Sequence, residues 1–360
     1  MDDSRGCTIS WCGPAGAHHK GSSGEFIYDS WIIDLLSSQL RIIKWAPASQ
    51  SRLTQLRNLI FGVPWLRHRY KKSVNRREAL NYEAQAVGNV ISCEPFDFIL
   101  HFYKKPTILI MHNITSDAIV EAYPNSALVK FIASICRAHE KKLFQYEHLI
   151  KLVVLSERDK ALVTELAPHL TVITAPPGMP ELQPLDSTAV FCGTELVLSG
   201  TYDWRAKKRD CIRLLEAVKN TNFQIASDDE LPASADTPLV IPADLGNADA
   251  NAYRIRIGVI PDTFLAGHKL KSTFLISNNC MIVSFCDLSS EFKGIANSQL
   301  FVRQIDNVLR IPDIVEELSS IDQATLFSLF RDFQLECRDR FCWQRSSALI
   351  SEELTSLATS

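Results

Sequence analysis

Short apolar runs alternate with helix-like stretches through most of the chain. In the first half, the apolar runs of strand length cover residues 7–12, 40–47, 96–102, 107–112 and 151–156. Residues 26–38 instead have apolar positions at three- and four-residue spacing, which predicts a helix. Continuous apolar runs are typical of parallel strands that are buried on both faces. The alternation therefore predicts a doubly wound α/β domain.

A second domain is predicted after an interruption of this pattern. Residues 176–195 are rich in Pro, Gly and small polar residues, as expected of a linker. Predicted strands then follow at residues 195–200, 223–227, 237–243, 254–261 and 281–285, with a helix over 207–220 and a helical C-terminus. We expect domains over 1–180 and 190–340 and a C-terminal helix over 341–360, with its return to the first domain left open. Ligands of such folds bind at the carboxyl ends of strands, which predicts a site between the domains.

Composition narrows the class of protein. Of the 360 residues, 46% are hydrophobic and 22% are charged, and the net charge is −3, so no general attraction to nucleic acid is expected. No apolar run reaches the roughly 18 residues that span a membrane, and the acidic stretch 1–10 does not have the pattern of a signal peptide. The ten cysteines form no CxxC pair, which favours reduced core residues over disulfides or zinc ligands. These features predict a cytoplasmic protein.

A glycine-rich stretch, GPAGAHHKGSSGE, follows the first predicted strand at residues 13–25. Glycine gives a ligand access to the backbone, and the start of the following helix offers unpaired N–H groups to an anion. There is no GxGxxG and no P-loop GK[ST], so ordinary dinucleotide or ATP binding is not supported. A plain flexible loop is the alternative.

Two strand-to-helix junctions in the second predicted domain are basic. One contains Gly200, Arg205, Lys207, Lys208 and Arg209, and the other contains Gly267, His268, Lys269 and Lys271. Cations at a helix N-terminus oppose the helix dipole unless an anion offsets them. The two junctions predict one anionic ligand held from two sides, which a nucleotide diphosphate fits best. A solvated helix face is the alternative for some of these charges.

Two further positions follow strands in the first predicted domain. His112 lies at the carboxyl end of the apolar run 107–112, where it could bond a substrate hydroxyl or transfer a proton, although a single histidine is more often structural. Ser156 is predicted to cap a helix, with Asp159 three residues further on. Capping does not explain Arg158.

Residues 52–77 contain eight Arg and Lys and no acidic residue, with apolar side chains interleaved. This pattern is typical of an element that lies on an anionic membrane surface. A basic solvated helix pair accounts for it equally well.

Four segments together resemble the GT-B glycosyltransferases of group 1, the family 4 type. These are TILIMHN (107–113), VVLSERDKALVTELAPHLTVITAPPGMP (153–180), LVLSGTYDWRAKKRDCIRLLEAV (196–218) and IPDTFLAGHKLKSTFLISNNCMIVSF (260–285). The resemblance implies two Rossmann-like domains across a cleft, retention of anomeric configuration and no bound metal or cofactor. It implies that Lys271, helped by Lys269 or Arg205, contacts the donor diphosphate and that His112 lies near the transferred sugar. It also implies that the glycine-rich loop near Gly21 and Gly24 approaches the donor or the acceptor. The other candidate donor contacts are Gly200, Tyr202, Lys207, Gly267 and His268.

One departure from the family pattern concerns the donor. The family has an acidic residue three positions after the lysine, where this chain has Phe274. The family's glycine five positions further on is Asn279, which can also adopt a left-handed conformation. Either another acid such as Glu291 substitutes, or the protein is a diverged or inactive member.

The expected activity is a metal-independent, hexosyltransferase-type transfer of a sugar from a nucleotide diphosphate sugar to a glycan or lipid-linked acceptor. Polysaccharide or glycoconjugate biosynthesis is the expected setting, with peripheral binding to the inner membrane face through residues 52–77 left open. A non-catalytic nucleotide-sugar or protein-binding module and a sugar-nucleotide epimerase are the alternatives.

Overall fold

The computed structural model describes residues 7–16, 24–48, 72–92, 94–202, 204–228, 230–232, 240–242, 252–265 and 267–359. Within them the chain forms two parallel β-sheets of six strands each, with helices packed against the sheets. The chain therefore has the two doubly wound α/β units that the alternating pattern predicts.

The first sheet has the strand order β2-β1-β3-β4-β5-β6. Its strands are Thr8–Cys12 (β1), Arg41–Trp45 (β2), Gly88–Ser92 (β3), Thr107–Met111 (β4), Leu149–Val154 (β5) and Thr171–Thr174 (β6). Its helices are Gly24–Leu36 (α1), Lys72–Ala84 (α2), Thr115–Ala122 (α3), Ala127–Leu143 (α4) and Glu157–Leu166 (α5), with 3₁₀ turns at Pro14–Gly16 and Glu94–His101.

Alternate residues of each central strand enter different cores. In β4, Ile108 and Ile110 belong to the core on one face of the sheet, whereas Leu109 and Met111 belong to the core on the other. Because successive side chains of a strand point to opposite faces, a strand covered on both sides must be apolar throughout. The continuous apolar runs in the sequence have this cause.

The second sheet has the strand order β12-β11-β10-β7-β8-β9. Its strands are Val190–Leu198 (β7), Gln224–Ser227 (β8), Val240–Pro242 (β9), Arg254–Ile260 (β10), Cys280–Ser284 (β11) and Val302–Gln304 (β12). The helices that follow are Arg205–Val218 (α6), Leu270–Ser277 (α7), Ser298–Phe301 (α8), Ile311–Ser319 (α9), Gln323–Arg340 (α10) and Trp343–Thr359 (α11), with a 3₁₀ turn at Val308–Arg310.

The last helix returns to the first sheet. Trp343, Ile350 and Leu354 of α11 are buried in a core of that sheet, and the Trp343 ring stacks on Trp31 with centroids 5.7 Å apart. The return of the C-terminal helix, which the sequence left open, is therefore observed. The domain boundaries at 1–180, 190–340 and 341–360 stay predictions.

Two local predictions are wrong. Residues 96–102 are not a strand, because Glu94–His101 forms a 3₁₀ helix and the place beside β1 is taken by Gly88–Ser92. An apolar run of this length fits a strand or a buried helical turn equally well, and here Ile99 and Leu100 are fully buried from the turn. The predicted linker is also too long, since β7 begins at Val190 rather than at residue 195.

The predicted helix cap is confirmed. The Ser156 hydroxyl accepts a hydrogen bond from the Asp159 amide at 3.0 Å and donates one to the Asp159 carboxylate at 2.7 Å. The Asp159 carboxylate is thereby bonded within the first turn of α5.

Most of the basic segment 52–77 lies outside the described residues. Its final residues begin α2, where Arg76 and Arg77 are exposed and Asn75 binds the backbone of Ala48. Among the described residues, no helix has the length and apolar character needed to cross a membrane. Binding of this segment to a membrane surface stays a prediction.

Candidate active-site cleft

Loops at the carboxyl ends of the two sheets meet in the middle of the molecule. His112 directly follows β4, and its carbonyl oxygen lies against Gly267 in the loop between β10 and α7. Gly267 has a φ of 62°, and a side-chain carbon there would collide with that carbonyl. At Gly24, an added Cβ would lie 2.6 Å from Leu270 Cδ1. Both glycines therefore allow the two halves to approach closely.

The loop that leads to Gly267 is held by the first half of the chain. The Leu265 amide donates to the Glu121 carboxylate at 3.1 Å, and the Leu265 carbonyl accepts from the Arg158 guanidinium. Arg158 also pairs with Glu121 and, at 2.7 Å, with Asp117. Arg158, which capping did not explain, thus joins α3 and α5 to the second half.

His112 is buried beneath this contact. Its Nε2 lies 3.1 Å from the Ser92 hydroxyl at the end of β3, and its ring meets the Tyr28 ring edge-on with centroids 5.2 Å apart. Burial lowers the pKa of His112 to about 3, so its imidazole is neutral near pH 7. A neutral ring has one N–H donor and one acceptor nitrogen, which suits a hydroxyl group better than an anion.

Asp29 extends this polar arrangement. Burial raises the pKa of Asp29 to about 7, while hydrogen bonds from the Ser92 hydroxyl and the Ala15 amide act in the opposite direction. If the Ser92 hydroxyl donates to the ionised Asp29, it accepts from Nε2–H of His112, which leaves Nδ1 of the imidazole without a proton. The sequence analysis missed Asp29 and Ser92, since neither belongs to a motif.

Lys271 is the central cation of the second half. Gly200 lies just past β7 with a φ of 80° and is covered by the Lys271 side chain. A Cβ added at Gly200 would be 3.1 Å from Lys271 Cε. The ammonium lies 3.9 Å above the centroid of the Tyr202 ring and makes no hydrogen bond within the described residues. Burial lowers its pKa from the ordinary 10.5 to about 8, although Asp262 favours the charged form. Gly200, Tyr202 and Lys271, predicted separately, are therefore neighbours.

Lys269 differs from Lys271 because its charge is paired. Its ammonium is 2.9 Å from the Asp262 carboxylate, and both side chains are buried. The same ammonium lies 4.6 Å from the centroid of the Phe264 ring. Asp262 also stabilises the charged forms of Lys271 and Lys207, and the three lysines hold the pKa of this acid below its usual value. The sequence analysis did not single out Asp262, although it follows β10 by two residues.

Lys207 and Arg205 occupy different places. Burial lowers the pKa of Lys207. Lys207 also interacts electrostatically with both Asp262 and Lys269, so it belongs to the group of lysines around Asp262. Arg205 is exposed and lines a cavity of about 510 Å³ with Tyr123 and Arg209. A contact of Arg205 with a donor stays a prediction, as do the roles of the other site residues.

His268 and Glu291 contact each other, 3.1 Å apart between Nδ1 and Oε2, with side chains that are both 1% exposed. They line a cavity that also contains residues of the C-terminal helices. Phe274, at the position where the family has an acidic residue, packs on the core of the second sheet. The chain therefore has no carboxylate at that position. Asn279 has a φ of 59°, so it adopts the left-handed conformation that asparagine allows at this position.

Gly21 lies outside the described residues, so its contact with a substrate stays a prediction. In the part of the chain that the structure describes, no group of three His, Cys, Asp or Glu side chains could hold a metal ion.

Two doubly wound sheets whose carboxyl ends meet across a cleft define the GT-B fold, as the sequence predicts. The similar solved structures include sucrose-phosphate synthase from Thermosynechococcus elongatus, with a TM-score of 0.65 and 10% identity over 98% of this chain and 100% of that chain. Another is Anabaena HepE in complex with UDP-glucose, with a TM-score of 0.58 and 10% identity over 98% of this chain and 100% of that one. A third is Phytolacca americana UGT2 complexed with UDP-2-fluoro-glucose and pterostilbene, with a TM-score of 0.55 and 12% identity over 97% and 99% of the two chains. No family model matches the sequence, and no curated protein matches it significantly. The GT-B fold is confirmed by these similarities.

Proposed function

We propose that this chain is a glycosyltransferase that moves a sugar from a nucleotide diphosphate sugar to a glycan or lipid-linked acceptor. The observation that carries the proposal is Lys271, a buried ammonium without a hydrogen-bond partner among the described residues, at the start of α7. Ammonium groups and helix N-termini are the usual partners of phosphate. The UDP-sugars bound to two of the similar structures support a nucleotide-sugar donor.

Lys271 and the amides at the start of α7 would bind the donor diphosphate. As the bond from the anomeric carbon to the phosphate oxygen breaks, negative charge develops on the leaving diphosphate, and a fixed ammonium stabilises it. Lys207 adds a second positive charge nearby, while Asp262 keeps Lys269 in place. Gly200 leaves the backbone accessible beside them.

His112 would contact the sugar or the acceptor. Its neutral imidazole, held by Ser92 and Asp29, can bond a hydroxyl without introducing charge. Gly267 and Leu265 contact the first half beside this position. With a donor bound, these contacts would help to exclude water from the reacting groups.

The test is release of nucleoside diphosphate from a panel of UDP- and GDP-sugars, with and without glycan acceptors. We expect turnover with at least one donor and a loss of about 100-fold or more in kcat for Lys271→Met, the usual effect of removing one stabilising donor. Lys141→Met, which removes an exposed lysine at the end of α4, is the control and should retain activity. Equal activity of both variants would contradict the assigned role of Lys271.

A second candidate is a module that binds nucleotide sugars without transferring the sugar. Phe274 favours it, because an apolar side chain packed on the core stands where the family has an acid. Such a module would be stabilised thermally by UDP or GDP but would release no diphosphate with any donor and acceptor.

A further inference from the structure

A cavity of about 260 Å³ lies where both sheets meet the C-terminal helices. We call it the C-terminal cavity; the residues that matter are Ser156 and Thr174 of the first half, His268 and Glu291 of the second, and Arg340 and Arg345 near the last helix. Lys271 and Gly200 do not line it. The cavity is therefore distinct from the proposed diphosphate site.

Its buried wall contains polar atoms without partners. His268 Nε2 and Thr174 Oγ1 make no hydrogen bond within the described residues. The Glu291 carboxylate lies 3.1 Å from His268 Nδ1 and also receives a hydrogen bond from the backbone amide of Lys269. Buried polar atoms in proteins almost always have a hydrogen-bond partner. Two unpartnered groups in the wall of one cavity, with the Glu291 carboxylate beside them, point to a polar occupant.

The buried wall is neutral, whereas the exposed side is charged. Burial lowers the pKa of His268 to about 3 and raises that of Glu291 to about 8, so near pH 7 both present neutral donors and acceptors. Such groups suit hydroxyls better than ions. Arg345 is exposed and Arg340 is partly exposed, and with the single acid Glu157 they leave a net positive charge on that side.

We propose that the C-terminal cavity binds a monosaccharide-sized polyol that carries one anionic group. Its hydroxyls would bond His268, Glu291 and Thr174, and its anionic group would pair with Arg345 and Arg340. The cavity of about 260 Å³ is far larger than the space that a single water needs, so it has room for a small polar molecule. Residues of both halves line the cavity, so an occupant would stabilise the arrangement of the two halves.

Titration calorimetry of the full chain with glucose 6-phosphate, glucuronate, glucose and inorganic phosphate tests the proposal. We expect at least one of the two anionic sugars to bind about tenfold or more tightly than glucose or phosphate, an advantage of roughly 1.4 kcal/mol. The better of the two anionic sugars identifies the anionic group. The increase in melting temperature produced by each of the same four compounds should rank them in the same order as their affinities.

Two variants probe the two sides of the cavity. Arg345→Ala and Thr174→Val should each weaken binding of the better sugar about tenfold, the usual effect of losing one charged or hydrogen-bonded contact. Thr174→Val removes a hydroxyl that makes no hydrogen bond among the described residues, so it should not lower the melting temperature. Arg338→Ala, an exposed arginine of α10, is the control and should not alter binding.

The proposal is overturned if neither anionic sugar binds at about 10 mM, or if Arg345→Ala and Thr174→Val bind them as the unmodified chain does. Water alone would then fill the cavity. Loss of sugar binding in Lys271→Met with retention in Arg345→Ala would also overturn it, because the compound would then occupy the donor site. Binding of UDP is measured separately, so the failure of one site is distinguishable from the failure of the other.

Discussion

Replacement of Lys271 by Met should stabilise the fold while it abolishes activity. Burial lowers the pKa of Lys271 from 10.5 to about 8, so the folded protein holds this ammonium at a cost. At about 1.36 kcal/mol per pH unit, the difference corresponds to about 3 kcal/mol. Met has a similar length and no charge, but it loses the contact of the ammonium with the Tyr202 ring, which contributes about 1 kcal/mol. We expect the variant to be more stable by about 2 kcal/mol near neutral pH.

The stability difference between Lys271→Met and the unmodified protein depends on pH because folding lowers the pKa of Lys271. Below about pH 8, Lys271 is charged in both the folded and the unfolded chain, so burying its ammonium has its full free-energy cost. Between about pH 8 and 10.5 the unfolded chain binds more protons than the folded chain, so the stability of the unmodified protein rises with pH. The Met variant lacks this rise. Its advantage should therefore shrink by about 2 kcal/mol between about pH 6.5 and about pH 9.5.

Urea unfolding of both proteins at the two pH values measures this difference, and groups common to both proteins cancel. Lys141→Met, at an exposed position, should change stability little at either pH. The reasoning is refuted if Lys271→Met is less stable than the unmodified protein at neutral pH, or if its advantage does not depend on pH.

Three further predictions concern other residues of the candidate site. Asp262→Asn should lower the free energy of unfolding by about 3–5 kcal/mol in urea, because it leaves the buried Lys269 ammonium unpaired. If the chain has the proposed activity, kcat of the unmodified chain should rise as pH increases through about 7, where Asp29 ionises and holds His112; Asp29→Asn should give a low and flat pH profile. Gly267→Ala should reduce kcat/KM by about tenfold or more, since the new methyl group displaces the loop from the His112 carbonyl.

Matched controls accompany these variants. Gly294→Ala also introduces a side chain at a positive φ, here 83°, but with no atom within 4 Å, so it isolates backbone strain from the collision at Gly267. Asp262→Leu combined with Lys269→Met removes both charges and should recover part of the stability lost in Asp262→Asn. A pH profile of Asp29→Asn identical to that of the unmodified chain would exclude Asp29 from the positioning of His112. Full stability of Asp262→Asn would exclude the buried ion pair as a determinant of the fold.

The sequence predicted the fold because both sheets are covered on two faces. Strands such as Thr107–Met111 are then apolar over most of their length, here at all four positions after Thr107, which gives a clear signal. The signal failed where a strand begins with small or polar residues, as in Gly88–Ser92, and where a helical turn is as apolar as a strand, as in Glu94–His101. Local composition does not separate these cases, and the pairing of the sheet decides them.

The candidate site was predictable only in part. Gly200 and Lys271 are 71 positions apart, yet each follows a strand of one sheet, so the topology alone brings them together. The charge balance was not predictable, because the sequence does not show that Lys269 pairs with Asp262 whereas Lys271 makes no hydrogen bond within the described residues. That distinction depends on side-chain geometry.

The affinity of UDP and GDP, compared with that of uridine and guanosine, is the most direct measure of whether the cleft holds a diphosphate through its lysines. We predict that the better diphosphate binds the unmodified chain at least about tenfold more tightly than its nucleoside, and that Lys271→Met removes most of this advantage without altering nucleoside affinity. Equal affinity of diphosphate and nucleoside, or an unchanged difference in Lys271→Met, would contradict the account.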